Sequence, residues 1–471
     1  MLSPSSLNRE SAVLLRFRSS LDAFFTPKSI AVVGASPDET KIGGIIFRNL
    51  MFGAAKGNLY PVNPNEKKIH GIRCFASIES LPASPDLAVI AVHAPAVAGV
   101  LRECVKKKVP AVVVISAGFR ETGVDGSIRE QELKEIVKGT KTRIIGPNCM
   151  GVYDAHSGLN TLFVSPMKFK APPAGGLSLI SQSGAVGTAI LDYMAQREYG
   201  ISKFVSYGNR ADIDEAELLA YLSADKKTKA ILCYVEGLKD GRKFYETLKK
   251  VKKPVIVLKA GKHEGSAKAA ASHTGSLTGN YRVFLAAMEQ GGAITAKTIE
   301  ELTDFGRVLT YEGKVEKKEH PKIAIVTTGG GFGVMCADTC LGCGMGLAEF
   351  SQETIRKIKA VMPEFCGISN PLDLIGDATS ERFRVALDAV LGDENVDAVV
   401  VFLWPLGISL EGKVIDVLLS AKKQFAKPFV VGAFGGRYTT LLLKCAEAAK
   451  IPVYPTPRRA LKAIEVLMRK R

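Results

Sequence analysis

The chain has 471 residues, 46% hydrophobic and 23% charged, a composition that indicates a globular rather than a disordered protein. Its nine cysteines are odd in number and widely spaced, which argues against a disulfide framework. The formal charge of +16 favours anionic ligands, but the basic residues fall on solvated helix faces without a nucleic-acid-binding motif.

The N-terminal stretch "MLSPSSLNRESAVLLRFRSS" lacks the apolar core of a secretory signal. No apolar run reaches the roughly 20 residues that a membrane-spanning helix needs. We therefore expect a cytoplasmic protein that engages neither membranes nor nucleic acids.

One pattern recurs three times along the chain: a short β-branched run ends in a glycine-rich turn, and a helix-like segment follows. It begins at Ser29, Gly176 and Lys322. Apolar runs without alternation indicate strands buried on both faces, and their alternation with helices predicts parallel sheets. The sequence therefore predicts an α/β fold of three consecutive domains.

The domain boundaries follow from changes in composition. The segment "YEGKVEKKEHP" is charged and poor in apolar residues, as expected of a linker. We expect a first domain over residues 1–151, a second over 152–310, the linker over 311–321 and a third over 322–471.

The three glycine turns are candidate anion sites, because a helix N-terminus presents free N–H groups and partial positive charge. A glycine turn can also serve only to lead a strand into a helix. The first one, "VVGASPDETKIGG", lacks the G-x-G-x-x-G spacing and a clear acidic partner for a ribose. Neighbouring strand ends add backbone donors and Lys67 or Lys68. From the residues alone, coenzyme A and a dinucleotide fit this collection equally well.

A histidine and a carboxylate suggest chemistry in the second domain. Glu236 follows the apolar run "AILCYV", so it is expected at the ligand-facing edge of a parallel sheet. His273 lies in the small-residue stretch "ASHTGSLTG", beyond the next strand. A carboxylate that accepts one ring N–H leaves the other nitrogen free to attack phosphorus. The helix start at Ser183, Gly184 and Ala185 could bind the phosphoryl oxygens.

Other interpretations of single residues remain open at this level. A lone histidine in a loop more often caps a helix or forms an ordinary hydrogen bond, and no pair of histidines has metal-ligand spacing. Cysteines 336, 340 and 343 match an iron–sulfur spacing, but i, i+4 and i+7 also define one face of a helix, which we favour. Trp404 could line a substrate pocket, although a single tryptophan is more often part of a core.

Several motifs together resemble the α subunit of ADP-forming acyl-CoA synthetases (acetate–CoA ligases), relatives of succinyl-CoA synthetase. In chain order these motifs are "RIIGPNCMGV", "SQSGAVG", "SYGN", "YVEG", "SHTGSLTG" and "NPLDLIGD". The resemblance implies a Rossmann-like coenzyme A-binding domain followed by two flavodoxin-like domains. It also implies the reaction of acyl-CoA, ADP and phosphate to acid, coenzyme A and ATP, through an acyl phosphate and a phosphohistidine on a mobile loop.

The resemblance assigns roles by position. His273 would be the phosphohistidine and Glu236 its partner, with Ser183, Gly184 and Ala185 binding phosphate. Coenzyme A would contact two turns and, on a looser match, a lysine: Gly34, Ala35, Ser36, Pro37, Ser116, Ala117, Gly118 and Lys67. Asn148 and Cys149 would lie near the active centre, where Cys149 could equally be a small packed residue. No metal ligand is expected in this chain.

The resemblance also implies a partner. The nucleotide site of the family is an ATP-grasp domain of roughly two hundred residues, and no segment here remains to build it. We therefore expect ADP or ATP and Mg²⁺ on a separate β chain, in an α2β2 assembly. The alternatives are a coenzyme A-binding regulatory or scaffold protein without turnover and an NAD-linked oxidoreductase.

Overall fold

The computed structural model describes residues 21–53, 58–263, 265, 280–312, 315–407 and 413–468. The chain forms two compact units, Met1–Leu302 and Thr303–Arg471. The first unit contains two large sheets and the second unit contains one.

The first sheet has five parallel strands in the order β2-β1-β5-β6-β7. The strands of this region are β1 Ile30–Val33, β2 Leu59–Val62, β3 Lys68–Ile69, β4 Ile72–Arg73, β5 Leu87–Ile90, β6 Ala111–Val114 and β7 Arg143–Ile145. Its helices are α1 Ile42–Met51, α2 Ala94–Lys106 and α3 Val124–Val137. Strand β1 is buried throughout and pairs with β2 and β5, so the chain changes direction beside it. Such a switch point opens a crevice at the carboxyl edge of the sheet.

The second sheet has seven strands in the order β14-β13-β12-β10-β11-β8-β9. These strands are β8 Gly151–Asp154, β9 Leu159–Asn160, β10 Ala174–Ser181, β11 Ile201–Ser206, β12 Ala230–Val235, β13 Val255–Lys259 and β14 Ile294–Ala296. The helices that follow them are α4 Gly184–Gln196, α5 Glu215–Ala224, α6 Gly241–Lys250, α7 Tyr281–Gln290 and α8 Ile299–Tyr311. Capping side chains begin α4, α5 and α6, where Ser183, Asp214 and Asp240 each accept a backbone N–H of the first turn.

The third sheet lies in the second unit, and all its strand pairs are parallel. Its strands are β15 Lys322–Thr327, β16 Gly346–Leu347, β17 Leu372–Asp373, β18 Ala398–Leu403, β19 Phe429–Ala433 and β20 Val453–Tyr454. Its helices are α9 Gly330–Gly342, α10 Gln352–Lys359, α11 Ser380–Gly392, α12 Lys413–Gln424, α13 Arg437–Ala448 and α14 Pro457–Met468. The path runs β16-β15-β18-β19-β20, with β17 also paired to β15.

A buried ion cluster ties the start of the second unit to this sheet. The Arg307 guanidinium donates to the Glu447 carboxylate at 2.6 Å and to the Val453 carbonyl at 2.6 Å. It also lies 4.5 Å from the ring centroid of Tyr454. Because Arg307 is fully buried, these contacts replace the hydration that its charge loses.

The prediction of a parallel α/β fold is confirmed, with two additions. Strands β8 and β9 pair antiparallel at one edge of the second sheet, where the runs are too short to give a periodic signal. Strand β2 contains Pro61, which is tolerated because β2 is an edge strand.

The cysteine pattern of the third domain is a packed helix face, as predicted. Cys336 and Cys340 lie on α9 and Cys343 directly follows it, and all three are buried. Burial raises the pKa of the Cys336 and Cys340 thiols to about 12. Within the part of the chain that the structure describes, no three His, Cys, Asp or Glu side chains are grouped to hold a metal ion. In the same part, none of the helices has both the length and the apolar character to span a bilayer.

Candidate functional site

The glycine turn after β1 is shaped by close backbone contacts. Gly34 has a φ of +86°, and a Cβ there would lie 2.5 Å from the carbonyl oxygen of Ala91. A Cβ on Gly43, in the first turn of α1, would lie 1.9 Å from the Gly34 carbonyl oxygen. The helix start is thus pressed against the turn, and its N-cap, Lys41, makes no side-chain capping bond. This leaves the first N–H groups of α1 available to an anion.

Side chains hold this turn to its neighbour after β2. Ser36 is buried and its Oγ accepts a hydrogen bond from the Asp38 N–H at 3.1 Å. Asn63 Nδ2 donates to the carbonyl oxygen of Ala35 at 2.8 Å. Lys67 is exposed a few residues further along, and its carbonyl accepts from the Cys74 N–H. The two strand ends therefore form one connected rim beside Pro37.

The turn after β6 lies at the same edge of the sheet. Ser116 Oγ donates to the carbonyl of Val92, which follows β5. The N–H groups of Gly118 and Phe119 donate to Glu121 Oε1 at 2.7 and 3.1 Å. The amide of Gly118 is thus already bound by a carboxylate of its own turn. Ala117 lies between these anchored residues.

Glu121 is in turn bound to the second sheet. Asn209 Nδ2 donates to Glu121 Oε2 at 2.6 Å and to Glu130 Oε2 at 3.0 Å. Burial acts to raise the pKa of Glu121, but hydrogen bonds from Asn209 and from the Gly118 and Phe119 amides outweigh it and lower the pKa. The turn after β6 is therefore fixed to the "SYGN" turn of the second sheet.

The "GPNC" turn also joins the two sheets. Gly146–Pro147 is a cis peptide, and Asn148 has a φ of 55°. The carbonyl oxygens of Pro147 and Asn148 would each lie 2.3 Å from a Cβ at Gly208, so only glycine fits opposite them. Cys149 is buried, its thiol donates to the Val114 carbonyl at 3.2 Å, and burial raises its pKa to about 12. These features support the packed interpretation of Cys149.

The start of α4 faces the same turn. Ser183 is the N-cap, and its Oγ accepts from the Val186 N–H at 3.3 Å. Gly184 and Ala185 are the first helical residues, so their N–H groups have no partner within the helix. A Cβ on Gly184 would lie 3.2 Å from the Cβ of Met150, which keeps the approach to these amides narrow.

Glu236 lies beside that helix start. It follows β12, which pairs with β10, the strand that leads to Ser183. The Gln182 side-chain oxygen accepts from the N–H groups of Glu236 and Gly237 at 2.9 and 3.1 Å. Burial, and then the Glu236 charge and hydrogen bond, raise the pKa of Tyr234 to about 12. Glu236 is itself only 6% exposed.

A buried lysine at this edge was not assigned a role from the sequence. Lys259 ends β13, and its Nζ donates to the carbonyls of Glu236 at 2.7 Å and Ala260 at 2.5 Å. Burial lowers its pKa, and the nearby Glu236 charge opposes that shift. The sequence signal was a lysine at the end of the unbroken apolar run "PVIVL".

His273 lies in the range 266–279, outside the described residues, so the predicted pairing with Glu236 stays a prediction. Both flanks of that range are described. The chain leaves β13 at Lys259 and resumes at Asn280, the N-cap of α7. The Lys259 Nζ lies 5.8 Å from the ring centroid of Phe284 on α7. Lys259 and Phe284, described residues on either side of that range, are therefore near each other, and Lys259 contacts the Glu236 backbone.

The second unit contains a cavity of about 590 Å³ at its own glycine turn. Its lining comprises Thr328, Gly329, Gly330, Gly331, Phe332, Met335, Asp373, Ile375, Gly376 and Trp404. Trp404 is 37% exposed, and its backbone N–H donates to Thr328 Oγ1 at 2.9 Å. The tryptophan therefore lines a pocket, and the core interpretation is wrong.

The fold is that of an α/β protein with largely parallel sheets and glycine turns after its strands, and comparison with known proteins gives the family. Family models match a CoA binding domain at residues 28–155, a succinyl-CoA ligase like flavodoxin domain at 174–309 and a ligase-CoA domain at 323–425. The chain is 41% identical over 451 residues to ADP-forming acetate–CoA ligase I of Archaeoglobus fulgidus, which covers 95% of this chain and 63% of that protein.

It is also 38% identical over 454 residues to the subunit alpha of ADP-forming acetate–CoA ligase II of Pyrococcus furiosus, covering 95% of this chain and 97% of that subunit. Among solved structures, the dinucleotide forming acetyl-coenzyme A synthetase 1 of Ca. Korarchaeum cryptofilum, in complex with phosphate and ADP, superposes with a TM-score of 0.87. That match has 36% identity and covers 95% of this chain and 96% of that one. The chain belongs to the family of ADP-forming acetate–CoA ligases, as the motifs predicted.

Proposed function

We propose that this chain is the α subunit of an ADP-forming acetate–CoA ligase. Its likeness to a relative named subunit alpha runs over 97% of that relative's length, which supports the assignment. The chain spans only 63% of the length of the Archaeoglobus relative. The geometric observation that carries the proposal is the buried Glu236, held beside the start of α4 by Gln182 and contacted by Lys259.

The reaction would proceed in three transfers. Phosphate attacks the thioester carbonyl, the C–S bond breaks, and coenzyme A leaves as its thiol, giving an acyl phosphate. A ring nitrogen of His273 then attacks phosphorus, and the acid leaves with the bridging oxygen. Finally a terminal oxygen of ADP attacks phosphorus, the P–N bond breaks, and ATP and neutral histidine are formed. Glu236 stabilises the imidazolium that carries the phosphoryl group.

The remaining site residues would bind the substrates. Coenzyme A, rich in phosphate, suits the turn Gly34–Pro37 beside the start of α1, the rim with Lys67 and the turn Ser116–Gly118. The start of α4 at Ser183–Ala185 would bind the transferred phosphoryl oxygens. Asn148, held beside this edge, would line the approach.

We further propose that a partner chain completes the enzyme. ADP, ATP and Mg²⁺ would bind to an ATP-grasp β chain in an α2β2 assembly, and the likeness to a relative named subunit alpha supports a partner chain. The domains proposed for this chain are residues 1–151, 152–310 and 322–471, with residues 311–321 as the linker.

The test is phosphate labelling of the enzyme reconstituted with its β chain, using acetyl-CoA and radioactive phosphate. We expect alkali-stable, acid-labile label on His273. The variant His273→Ala should lose the label and slow ATP formation by at least about 1000-fold, since the nucleophile is gone. The exposed His320→Ala variant is the control and should match the wild type.

Two outcomes would contradict the proposal. One is normal ATP formation by His273→Ala. The other is a wild-type chain that binds coenzyme A but never turns over with any ATP-grasp partner, which would favour the scaffold alternative.

A further inference from the structure

The end of strand β12 is held at every backbone polar group. Gln182 Oε1 accepts the N–H groups of Glu236 and Gly237 at 2.9 and 3.1 Å. Lys259 Nζ donates to the Glu236 carbonyl at 2.7 Å, and the Arg210 guanidinium donates to the Gly237 carbonyl. Three side chains thus satisfy all four groups of this dipeptide. We call Gln182, Lys259 and Arg210 the strand-end clamp.

The clamp is buried and converges from three parts of the second sheet. Gln182 is 5% exposed, and Lys259 and Arg210 are each 2% exposed. Gln182 follows β10, Lys259 ends β13, and Arg210 lies in the turn after β11. Burying a cation costs free energy. For Arg210 this cost is offset by a salt bridge to Glu215 at 3.2 Å. Apolar side chains would fill the same space at less cost, so the polar contacts themselves are what the clamp provides.

Two features connect the clamp to the chemistry. Gln182 directly precedes Ser183, the N-cap of α4, so one residue fixes both the helix start and the Glu236 backbone. Lys259 directly precedes the stretch that leads to His273. A shift of the clamp would therefore move the Glu236 carboxylate relative to the start of α4.

We propose that the strand-end clamp is a set of positioning residues that hold the Glu236 carboxylate in place beside the start of α4. The proposal rests on the proposed function, because Glu236 acts there as the partner of the phosphohistidine. It adds residues that orient the pair without touching substrate.

The test compares two lysines at opposite ends of strand β13, Lys253 and Lys259, in the enzyme reconstituted with its partner β subunit. Lys253 precedes β13, donates to the carbonyls of Leu222 and Asp225, and has its pKa lowered by burial, as Lys259 does. We expect Lys259→Met to slow single-turnover labelling of His273 by about 100-fold, as small misplacement of a reacting group does. The KM for acetyl-CoA should stay within about twofold, because the coenzyme turns are separate. Lys253→Met should label at the wild-type rate.

A double-mutant cycle distinguishes an effect that acts through the position of Glu236 from a general loss of structure. If Lys259 acts through Glu236, Lys259→Met should add nothing to the loss already caused by Glu236→Gln. Gln182→Leu should show the same non-additivity, and circular dichroism should show each variant folded. The proposal would be overturned if the rate losses of Lys259→Met and Glu236→Gln multiplied in the double variant. Equal effects of Lys259→Met and Lys253→Met would also overturn it. Absence of label in the wild type would instead overturn the proposed function.

Discussion

At the scale of single residues, the cysteines differ in whether their thiols are accessible to solvent. Cys149 stands in a motif near the candidate site, yet its thiol is buried and donates to a backbone carbonyl. Cys445 is exposed. Motif position alone could not distinguish these cases, because burial depends on how two sheets pack around the "GPNC" turn.

The thiol chemistry can be measured directly. With a pKa of about 12, Cys149 is thiolate in only about one molecule in 10⁴ at pH 8. We expect iodoacetamide at pH 8 to label Cys445 and to leave Cys149 unmodified until denaturant is added, as read by peptide mass spectrometry. Rapid labelling of Cys149 in the folded protein would contradict its packed environment.

At the scale of elements, the turn after β1 depends on contact between a helix and a strand end. In Gly43→Ala the new Cβ would meet the Gly34 carbonyl, so the turn and the first amides of α1 must move apart. We expect titration calorimetry to show that the affinity for coenzyme A falls at least about tenfold, which is a loss of about 1.4 kcal/mol in binding free energy. NAD serves as the negative control and should not bind.

Gly99→Ala is the matched control for that experiment. Gly99 lies in α2, and a Cβ there meets no atom within 4 Å. Alanine in a helix interior is favoured over glycine by about 1 kcal/mol, so this variant should keep its affinity and gain stability. Equal loss of affinity in both variants would show that the contact at Gly43 does not matter.

The strands also show which parts of the fold can be predicted from sequence patterns. The runs "IAVV", "AILCYV" and "AVVVFL" predict buried parallel strands because burial on both faces requires unbroken apolar residues. The antiparallel pair β8 and β9 and the clamp around Glu236 follow from spatial convergence instead. Gln182, Lys259 and Arg210 lie on different strand ends, and no local period relates them. Position along the chain and motif resemblance both indicated Glu236 and Ser183, and only the fold supplies the Gln182 hydrogen bonds that join their strand ends.

At the scale of the whole molecule, each compact unit contains a buried arginine–glutamate pair, Arg210–Glu215 in the first and Arg307–Glu447 in the second. In the unit Thr303–Arg471, burial raises the pKa of Glu447, while the charge of Arg307 opposes that shift. A carboxyl whose pKa is higher folded than unfolded stabilises the fold at low pH, and this contribution is lost as the pH rises through the folded pKa. Removal of Arg307 raises that pKa further.

Arg307→Met should therefore destabilise this unit more at pH 8 than at pH 5, by about 3–5 kcal/mol at pH 8. Hydrogen exchange should show lost protection within residues 315–407 and 413–468 and little change within residues 58–263. The control is Arg384→Met, because Arg384 pairs with Glu381 and Asp388 at the surface and should change little. A loss that is equal at both pH values would mean that Glu447 does not titrate as its environment implies.

The antiparallel pair at the border of the second sheet has a further consequence for dissecting the molecule. Strand β8 covers β11, whose residues are all buried, and β9 continues the border outward. The family match to this layer begins at residue 174, after both strands. A fragment cut there would leave the unpaired amides of β11 open to edge-to-edge aggregation. A fragment that contains the second sheet must therefore begin at or before Gly151, so that β8 remains paired with β11.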